Sequence, residues 1–195
     1  MTPTGVAIRD VREQLFDAAE RILLREGPSA LTSRAVTAEA GCAKGVLHRH
    51  FADFDAFLVE LVEARVVWME ARGAALMDAA GVGSVVGNLA GVLGDVFGSI
   101  GLGIVSLVIS RDELRRRLRR NRGSGVPVLT EAGAVIAGYL EAERELGRVE
   151  FFVDVRMLAL TLVGGGHLLY AGREGVGVEV GDVEEFVGSV VGHAV

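Results

Sequence analysis

The sequence predicts an all-α protein in which an N-terminal three-helix domain, built on a helix-turn-helix, precedes a larger helical domain. Apolar residues recur at steps of three and four along most of the 195 residues, which is the period of one helix face. Only three prolines interrupt the chain, so long helices are permitted almost everywhere. No segment alternates apolar and polar residues convincingly enough to predict a strand.

The first predicted helix covers residues 8–24. It ends at Gly27 and Pro28, because Gly suits the left-handed position that closes a helix and Pro cannot continue one. We expect Thr32 to cap a short second helix over residues 33–40, since its hydroxyl can accept a backbone N–H that otherwise lacks a partner.

A three-residue turn at residues 41–43 separates this helix from another short one, predicted over residues 44–50. Leu47 and Phe51 lie one turn apart and must face inward. A longer helix then begins near residues 53–55. Two short helices joined by such a turn form a helix-turn-helix, whose second helix is small enough to enter a DNA major groove about 12 Å wide.

The middle of the chain is almost uncharged, since residues 81–110 contain only Asp95. The apolar run of residues 96–110 is shorter than the roughly 20 residues of a membrane span, so we expect no membrane association. Glycines recur through this segment at steps of three and four: Gly83, Gly87, Gly91, Gly94 and Gly98. Another helix comes close there, or the glycine face lines a space, or the pattern reflects only the frequent use of glycine in this chain.

The last third is predicted to be helical after a charged segment. Residues 111–122 contain seven arginines and two acids, and a solvated connector is favoured there over a contact with DNA. Helices are predicted over residues 128–146 and over residues 154–171, the second capped by Asp154. Asp182 is expected to cap the final helix.

The second short helix carries the clearest functional signal. Its exposed face would present Lys44, Gly45, His48 and Arg49, and Lys44 is the only lysine in the chain. The net charge of −6 means that any affinity for DNA must come from such a local patch. Periodicity alone leaves open an ordinary packing unit with no DNA contact. The predicted DNA-contacting residues are Thr32, Ser33, Arg34, Ala43, Lys44, Gly45, His48, Arg49 and His50.

Residues 9–58 resemble the DNA-binding domain of TetR-like transcriptional regulators, most closely in the stretch AGCAKGVLHRHF. The residues that carry the resemblance are Phe16, Ala18, Ala19, Gly27, Thr32, Val36, Ala40, Gly41, Gly45, Leu47, His50, Phe51 and Leu58. Three features depart from the family. His48 replaces a Tyr that usually touches phosphate, and Phe54 replaces a Lys that usually holds the DNA backbone. Cys42-Ala43 offers a weaker cap than the family's usual turn.

The resemblance implies a DNA-binding domain over residues 8–54 and a ligand-binding and dimerisation domain over residues 55–195. In such proteins the last two long helices pair with their copies in a four-helix interface. The expected function is a regulator, most simply a repressor, that a small apolar ligand releases from a palindromic double-stranded operator. The alternative is a small-molecule-binding helical dimer whose DNA binding is weakened or lost, which Phe54 and His48 motivate.

Polar and aromatic side chains of the second domain are the candidates for ligand contact, although for each of them a place in the core or in an interface is the favoured interpretation. They are Trp68, Phe97, Tyr139, His167 and Tyr170. His167 is singled out because it follows three glycines, Gly164 to Gly166, which would also allow close packing between helices.

Other classes find no support in the sequence. There is no nucleophile elbow and no phosphate loop, and the four histidines lack a metal-ligand spacing, so we expect no enzyme, no metal and no cofactor. One cysteine, Cys42, and an N-terminus without an apolar segment are typical of a cytoplasmic protein.

Overall fold

The computed structural model describes residues 7–98, 100–123, 125–172 and 177–195, and confirms the all-α prediction within them. The helices of its first half are α1 (Ala7–Glu26), α2 (Ser33–Glu39), α3 (Val46–His50), α4 (Phe54–Asp78) and α5 (Val85–Phe97). Those of its second half are α6 (Ile100–Ser110), α7 (Asp112–Arg122), α8 (Leu129–Glu145), α9 (Val155–Ala171) and α10 (Val180–Val191). One 3-10 turn, Pro28–Ala30, lies between α1 and α2.

The chain forms two compact units. The first comprises residues 1–64 and 103–124, and the second comprises residues 65–102 and 125–195. Helices α4 and α6 therefore contribute to both. This division by packing does not test the functional boundary after residue 54, which stays a prediction.

Aromatic packing holds the first unit together. The rings of Phe51 and Phe57 meet edge to face with centroids 5.0 Å apart, and Phe16 lies 5.5 Å from Phe57. Phe57 is fully buried, as are Leu15 and Leu58. These residues come from α1, the end of α3 and the first turns of α4, so three helices share one core.

Close approach of helices shapes the second unit, at glycines of α9. A Cβ atom at Gly166 would lie 3.0 Å from the ring of Phe97 in α5, and one at Gly165 would lie 2.5 Å from Phe186 in α10. Both contacts are within the chain. In α5 itself, a Cβ at Gly91 would meet nothing within 4 Å. The recurring glycines of α5 therefore do not form one continuous close contact.

The prediction of a solvated connector over residues 111–122 is wrong, because Asp112–Arg122 form α7. Leu114 and Leu118, one turn apart, are buried. Arg117 and Arg122 bind the carboxylates of other helices. The charge of the segment had outweighed the helical spacing of its two leucines in the prediction.

The predicted helix caps are mostly confirmed. Thr32 accepts the backbone N–H of Ala35 at 3.1 Å, and Asp154 accepts that of Met157 at 3.1 Å. Asp182, however, does not begin α10. It lies in the first turn and accepts the N–H of the capping residue, Glu179, at 3.3 Å.

Among the described residues, no single helix is both long and apolar enough to cross a membrane. Helices α5 and α6 meet that test only when they are counted together across the break between them.

Candidate nucleic-acid interface

Helix α3 is anchored by one apolar side. Val46 and Leu47 at its start are buried, and so is Phe51 at its end. The guanidinium of Arg12 lies 4.4 Å from the centre of the Phe51 ring and donates to the carbonyl oxygen of His50 at 3.1 Å. Contacts at both ends therefore fix the orientation of this short helix on its support.

The opposite side of α3 faces outward with the residues predicted for it. Lys44, Gly45, His48 and Arg49 are all exposed. A Cβ at Gly45 would meet nothing within 4 Å, so the backbone there is open to the approach of another molecule.

The helix starts later than predicted, since Lys44 and Gly45 lie in the turn before Val46. Gly45 occupies the N-cap position, and no side chain caps the helix, as the weak turn residues suggested. Lys44 therefore extends from the turn, while His48 and Arg49 extend from the helix itself.

The other residues predicted to contact DNA lie before and after these exposed residues in the sequence. Thr32, Arg34 and Ala43 are exposed, whereas Ser33 and His50 are half-buried. The hydroxyl oxygen of Thr32 accepts the N–H of Ala35, which leaves the hydroxyl proton able to donate to another group.

Charge on this surface is uncompensated. Within the described ranges no carboxylate forms an ion pair with Arg34, Lys44 or Arg49. Several other arginines of the first unit are paired, for example Arg21 with Glu39 at 2.8 Å. Hydrogen bonds from Arg21, and then from Arg25, hold the pKa of the Glu39 carboxyl below its usual value. Lys44 and Arg49 therefore give the exposed side of α3 a positive charge that no ion pair among the described residues offsets.

Phe54 takes a structural role at the start of α4. Its ring stacks on that of Phe57 with centroids 5.7 Å apart, and the guanidinium carbon of Arg111 lies 5.3 Å from its centre. Compared with a lysine at this position, Phe54 therefore adds an apolar contact with the core and carries no charge.

The ligand candidates fall into separate groups. Phe97, His167 and Tyr170 lie together, because both the His167 and the Tyr170 rings are 5.8 Å from that of Phe97. Burial raises the pKa of Tyr170 above its usual value. Trp68 is partly exposed beneath the guanidinium of Arg65, at 3.7 Å.

Tyr139 is held in a different place. It is fully buried, and its hydroxyl donates to Glu143 at 2.5 Å and accepts from Asn88 at 2.9 Å. Arg148 completes the network by lying 3.2 Å from the Glu143 carboxylate. Every polar atom of Tyr139 is therefore satisfied by protein groups.

A groove of about 1410 Å³ runs between α8 and α9. Small residues of α8, such as Gly133 and Ala137, form one wall, and Leu160 and Leu168 of α9 form the other. His167 is the one ligand candidate in its lining, and its Nδ1 is buried without a hydrogen-bond partner among the described residues. Gly164 also lies on this groove, unlike the two glycines that follow it.

The apolar side of α9 that faces this groove was not singled out in the sequence. Leu160 is 64% exposed and Leu168 is 75% exposed, although α9 also buries Ala159 and Leu162. A helix that is apolar nearly all round is the signal that could have revealed it.

The comparisons with known proteins agree with this architecture. Residues 15–61 match the sequence model of the family described as bacterial regulatory proteins, tetR family. No curated protein matches the sequence closely enough to count as a relative.

Solved structures with this fold span nearly the whole chain. A TetR-family transcriptional regulator from Agrobacterium tumefaciens has 14% identity and a TM-score of 0.74, over 95% of this chain and 98% of that one. Reduced NemR from E. coli has 18% identity and a TM-score of 0.72, over 93% and 95%. FadR from Bacillus subtilis, in complex with stearoyl-CoA, has 19% identity and a TM-score of 0.61, over 92% and 95%.

At such identities the likeness to solved structures establishes the fold alone. Together with the exposed α3, the fold defines a protein of the helix-turn-helix class. The family match covers residues 15–61, and nearly the whole chain has the fold of solved structures that include TetR-family transcriptional regulators.

Proposed function

We propose that the chain is a sequence-specific DNA-binding regulator, in which residues 8–54 bind the operator and residues 55–195 bind a ligand and dimerise. The observation that carries this proposal is the exposed side of α3. Three cationic or hydrogen-bonding side chains, Lys44, His48 and Arg49, project outward from a support that three buried residues fix in place. Arginine and lysine are the commonest readers of guanine edges, and histidine can donate to phosphate.

A homodimer would let two copies of α3 read a palindrome at a separation of about 34–36 Å. The observation that favours a homodimer is the groove between α8 and α9, where Leu160 and Leu168 are largely exposed in the single chain. Exposed leucines at helical spacing beside a wall of small residues are suited to a second pair of helices. The groove is therefore proposed as the space that the partner's α8 and α9 fill.

A ligand that favours one dimer geometry would change the separation of the two α3 helices and so release the operator, which makes the chain a repressor. The support for an apolar ligand is chemical, since Phe97, His167 and Tyr170 form an aromatic cluster in the unit that also contains Trp68. FadR of B. subtilis, which shares the fold, is known in complex with stearoyl-CoA, itself a long-chain acyl compound.

The DNA-binding proposal is tested with duplexes selected from a random library by the full chain. Fluorescence anisotropy should give a specific complex, and Arg49→Ala should weaken it by about 10-fold or more, because a lost base or phosphate contact costs roughly 1–3 kcal/mol. Arg25→Ala is the matched control, because its guanidinium is already paired with Glu39 at 3.0 Å. Absence of any selected sequence, or equal losses in the two variants, would overturn the proposal.

The dimer proposal has its own test. Leu160→Glu should shift the mass measured by light scattering from dimer to monomer, because it places a charge in the groove. Leu24→Glu is the control, since Leu24 is a comparably exposed leucine of α1, in the first unit. Dimer mass retained by Leu160→Glu would place the interface elsewhere.

The alternative function, a ligand-binding dimer that has lost DNA binding, is favoured by His48 and Phe54. It predicts that the natural chain selects no sequence, whereas the double variant His48→Tyr, Phe54→Lys does. Specific binding by the natural chain excludes it. The sign of regulation is read separately, from a reporter gene placed behind a selected operator, which a repressor should silence until the ligand is added.

A further inference from the structure

Helix α7 runs beside α4 in the same direction. Both terminal nitrogens of Arg117 bind the Asp53 carboxylate, at 2.8 and 3.0 Å, and Nε of Arg122 binds Glu63 at 2.6 Å. The order of the partners is the same along both helices. At about 1.5 Å per residue, Arg111 lies roughly 9 Å before Arg117, on the side of Asp53 that faces the helix-turn-helix.

The contacts of Arg111 confirm that position. Its Nη1 lies 3.4 Å from the carbonyl oxygen of Leu31, the residue before the cap of α2. Its guanidinium carbon lies 5.3 Å from the centre of the Phe54 ring, at the first residue of α4. One arginine from α7 thus touches the two chain segments that flank the helix-turn-helix.

The charge of Arg111 is available to another molecule. Two acids that adjoin these residues in sequence are engaged by other arginines: Asp53, next to Phe54, by Arg117, and Asp112, next to Arg111, by Arg115. No carboxylate is paired with Arg111 in the ranges that the structure describes. A guanidinium over an aromatic ring keeps its charge and its in-plane N–H donors, and here one weak bond to a carbonyl uses one of them.

We propose that Arg111 binds a phosphate of the operator, so that α7 supplies a cation at the edge of the helix-turn-helix beside Phe54. This inference rests on the proposed DNA-binding function. It assigns one residue outside residues 8–54 to the DNA surface, and it gives Phe54 a role as the platform on which that guanidinium rests.

The salt dependence of binding measures such a contact directly. Each phosphate contact contributes a slope of about 0.9 in the plot of log affinity against log salt, so Arg111→Gln should lower the slope by about 0.9 per subunit. For a dimer, the natural chain should lose about 12-fold more affinity than the variant between roughly 50 and 200 mM salt. The probe is the duplex selected by the natural chain.

Arg119→Gln is the matched control, because Arg119 is an exposed arginine two turns after Arg111 along α7. It removes the same charge and should leave the slope near that of the natural chain. Adding Phe54→Lys to Arg111→Gln returns a cation to the same place and should restore the slope. If Arg111→Gln melts below the assay temperature, Arg111→Met keeps the aliphatic stem over the ring and replaces it.

The outcomes separate the two proposals. A natural chain that binds specifically, with a slope that Arg111→Gln leaves unchanged, overturns the role of Arg111 alone. Equal decreases for Arg111→Gln and Arg119→Gln also overturn it, because they indicate a diffuse field of α7. A natural chain that selects no duplex overturns both this inference and the proposed function.

Discussion

The buried hydroxyl of Tyr139 makes the stability of the second unit depend on alkaline pH. Burial, and then the hydrogen bond to Glu143, raise the pKa of Tyr139 from 10.0 to about 12. Because the folded pKa is above the unfolded one, the folded state keeps a proton that the unfolded state loses. The stabilisation is complete below about pH 10 and is lost as the pH rises towards 12.

A shift of about two pKa units corresponds to about 2.7 kcal/mol, of which about 1.4 kcal/mol is lost by pH 11. Tyr139→Phe removes this dependence. At neutral pH it should cost about 1–3 kcal/mol, because a buried oxygen of Glu143 loses its donor. The difference in unfolding free energy between the natural chain and the variant should therefore narrow by about 1.4 kcal/mol between roughly pH 9 and 11.

Urea unfolding followed by circular dichroism gives that difference. The chain has two tyrosines, so in the variant Tyr170→Phe the ultraviolet absorbance of phenolate reports Tyr139 alone. Parallel stability curves for the natural chain and Tyr139→Phe would refute the reasoning. A phenolate that appears with an ordinary pKa in folded Tyr170→Phe would refute it as well.

Three further predictions concern single contacts. Gly166→Ala should lower the free energy of unfolding measured in urea, because overpacking against the ring of Phe97 costs about 1–3 kcal/mol while the helix gains about 1 kcal/mol. Gly91→Ala, whose added Cβ meets nothing within 4 Å, should leave this free energy unchanged or raise it. Thr32→Ala should cost about 1 kcal/mol and speed amide exchange in the first turn of α2, and unchanged exchange would contradict the cap. Hydrogen bonds from Arg117 lower the pKa of Asp53, so the stabilisation that they give is present at neutral pH and is lost as the pH falls below the usual carboxyl range. Asp53→Asn should therefore make the melting temperature fall less steeply with decreasing pH. An unchanged pH dependence of the melting temperature would contradict this prediction.

Local rules predicted the first fifty residues well because the determinants there are local. The caps Thr32 and Gly27 and the buried Leu47 each act on neighbours within one or two turns, so their spacing in the sequence carries the information. The outward side of α3 follows directly from the inward one.

Helix α7 shows why the rest was harder. Two of its arginines, Arg117 and Arg122, bind acids that lie 64 and 59 residues away in sequence, Asp53 and Glu63, and no pattern within residues 111–122 reveals these partners. The same holds for the contact of Arg111 with Leu31, 80 residues apart. Burial of Leu114 and Leu118, together with these ion pairs, holds on the first unit a segment that composition assigns to solvent.

The first compact unit continues to residue 64, ten residues beyond the functional boundary predicted after residue 54. Four buried side chains of α4 follow that boundary: Phe57, Leu58, Leu61 and Val62. At about 1.5–3 kcal/mol each, their burial supplies about 6–12 kcal/mol, which is comparable to the whole stability of a typical domain. A polypeptide of residues 7–54 should therefore show no cooperative urea transition, whereas residues 7–64 should show one. If both polypeptides unfolded with the same midpoint, the core contributed by α4 would be dispensable, and the support that orients α3 would have to come from α1 and α2 alone.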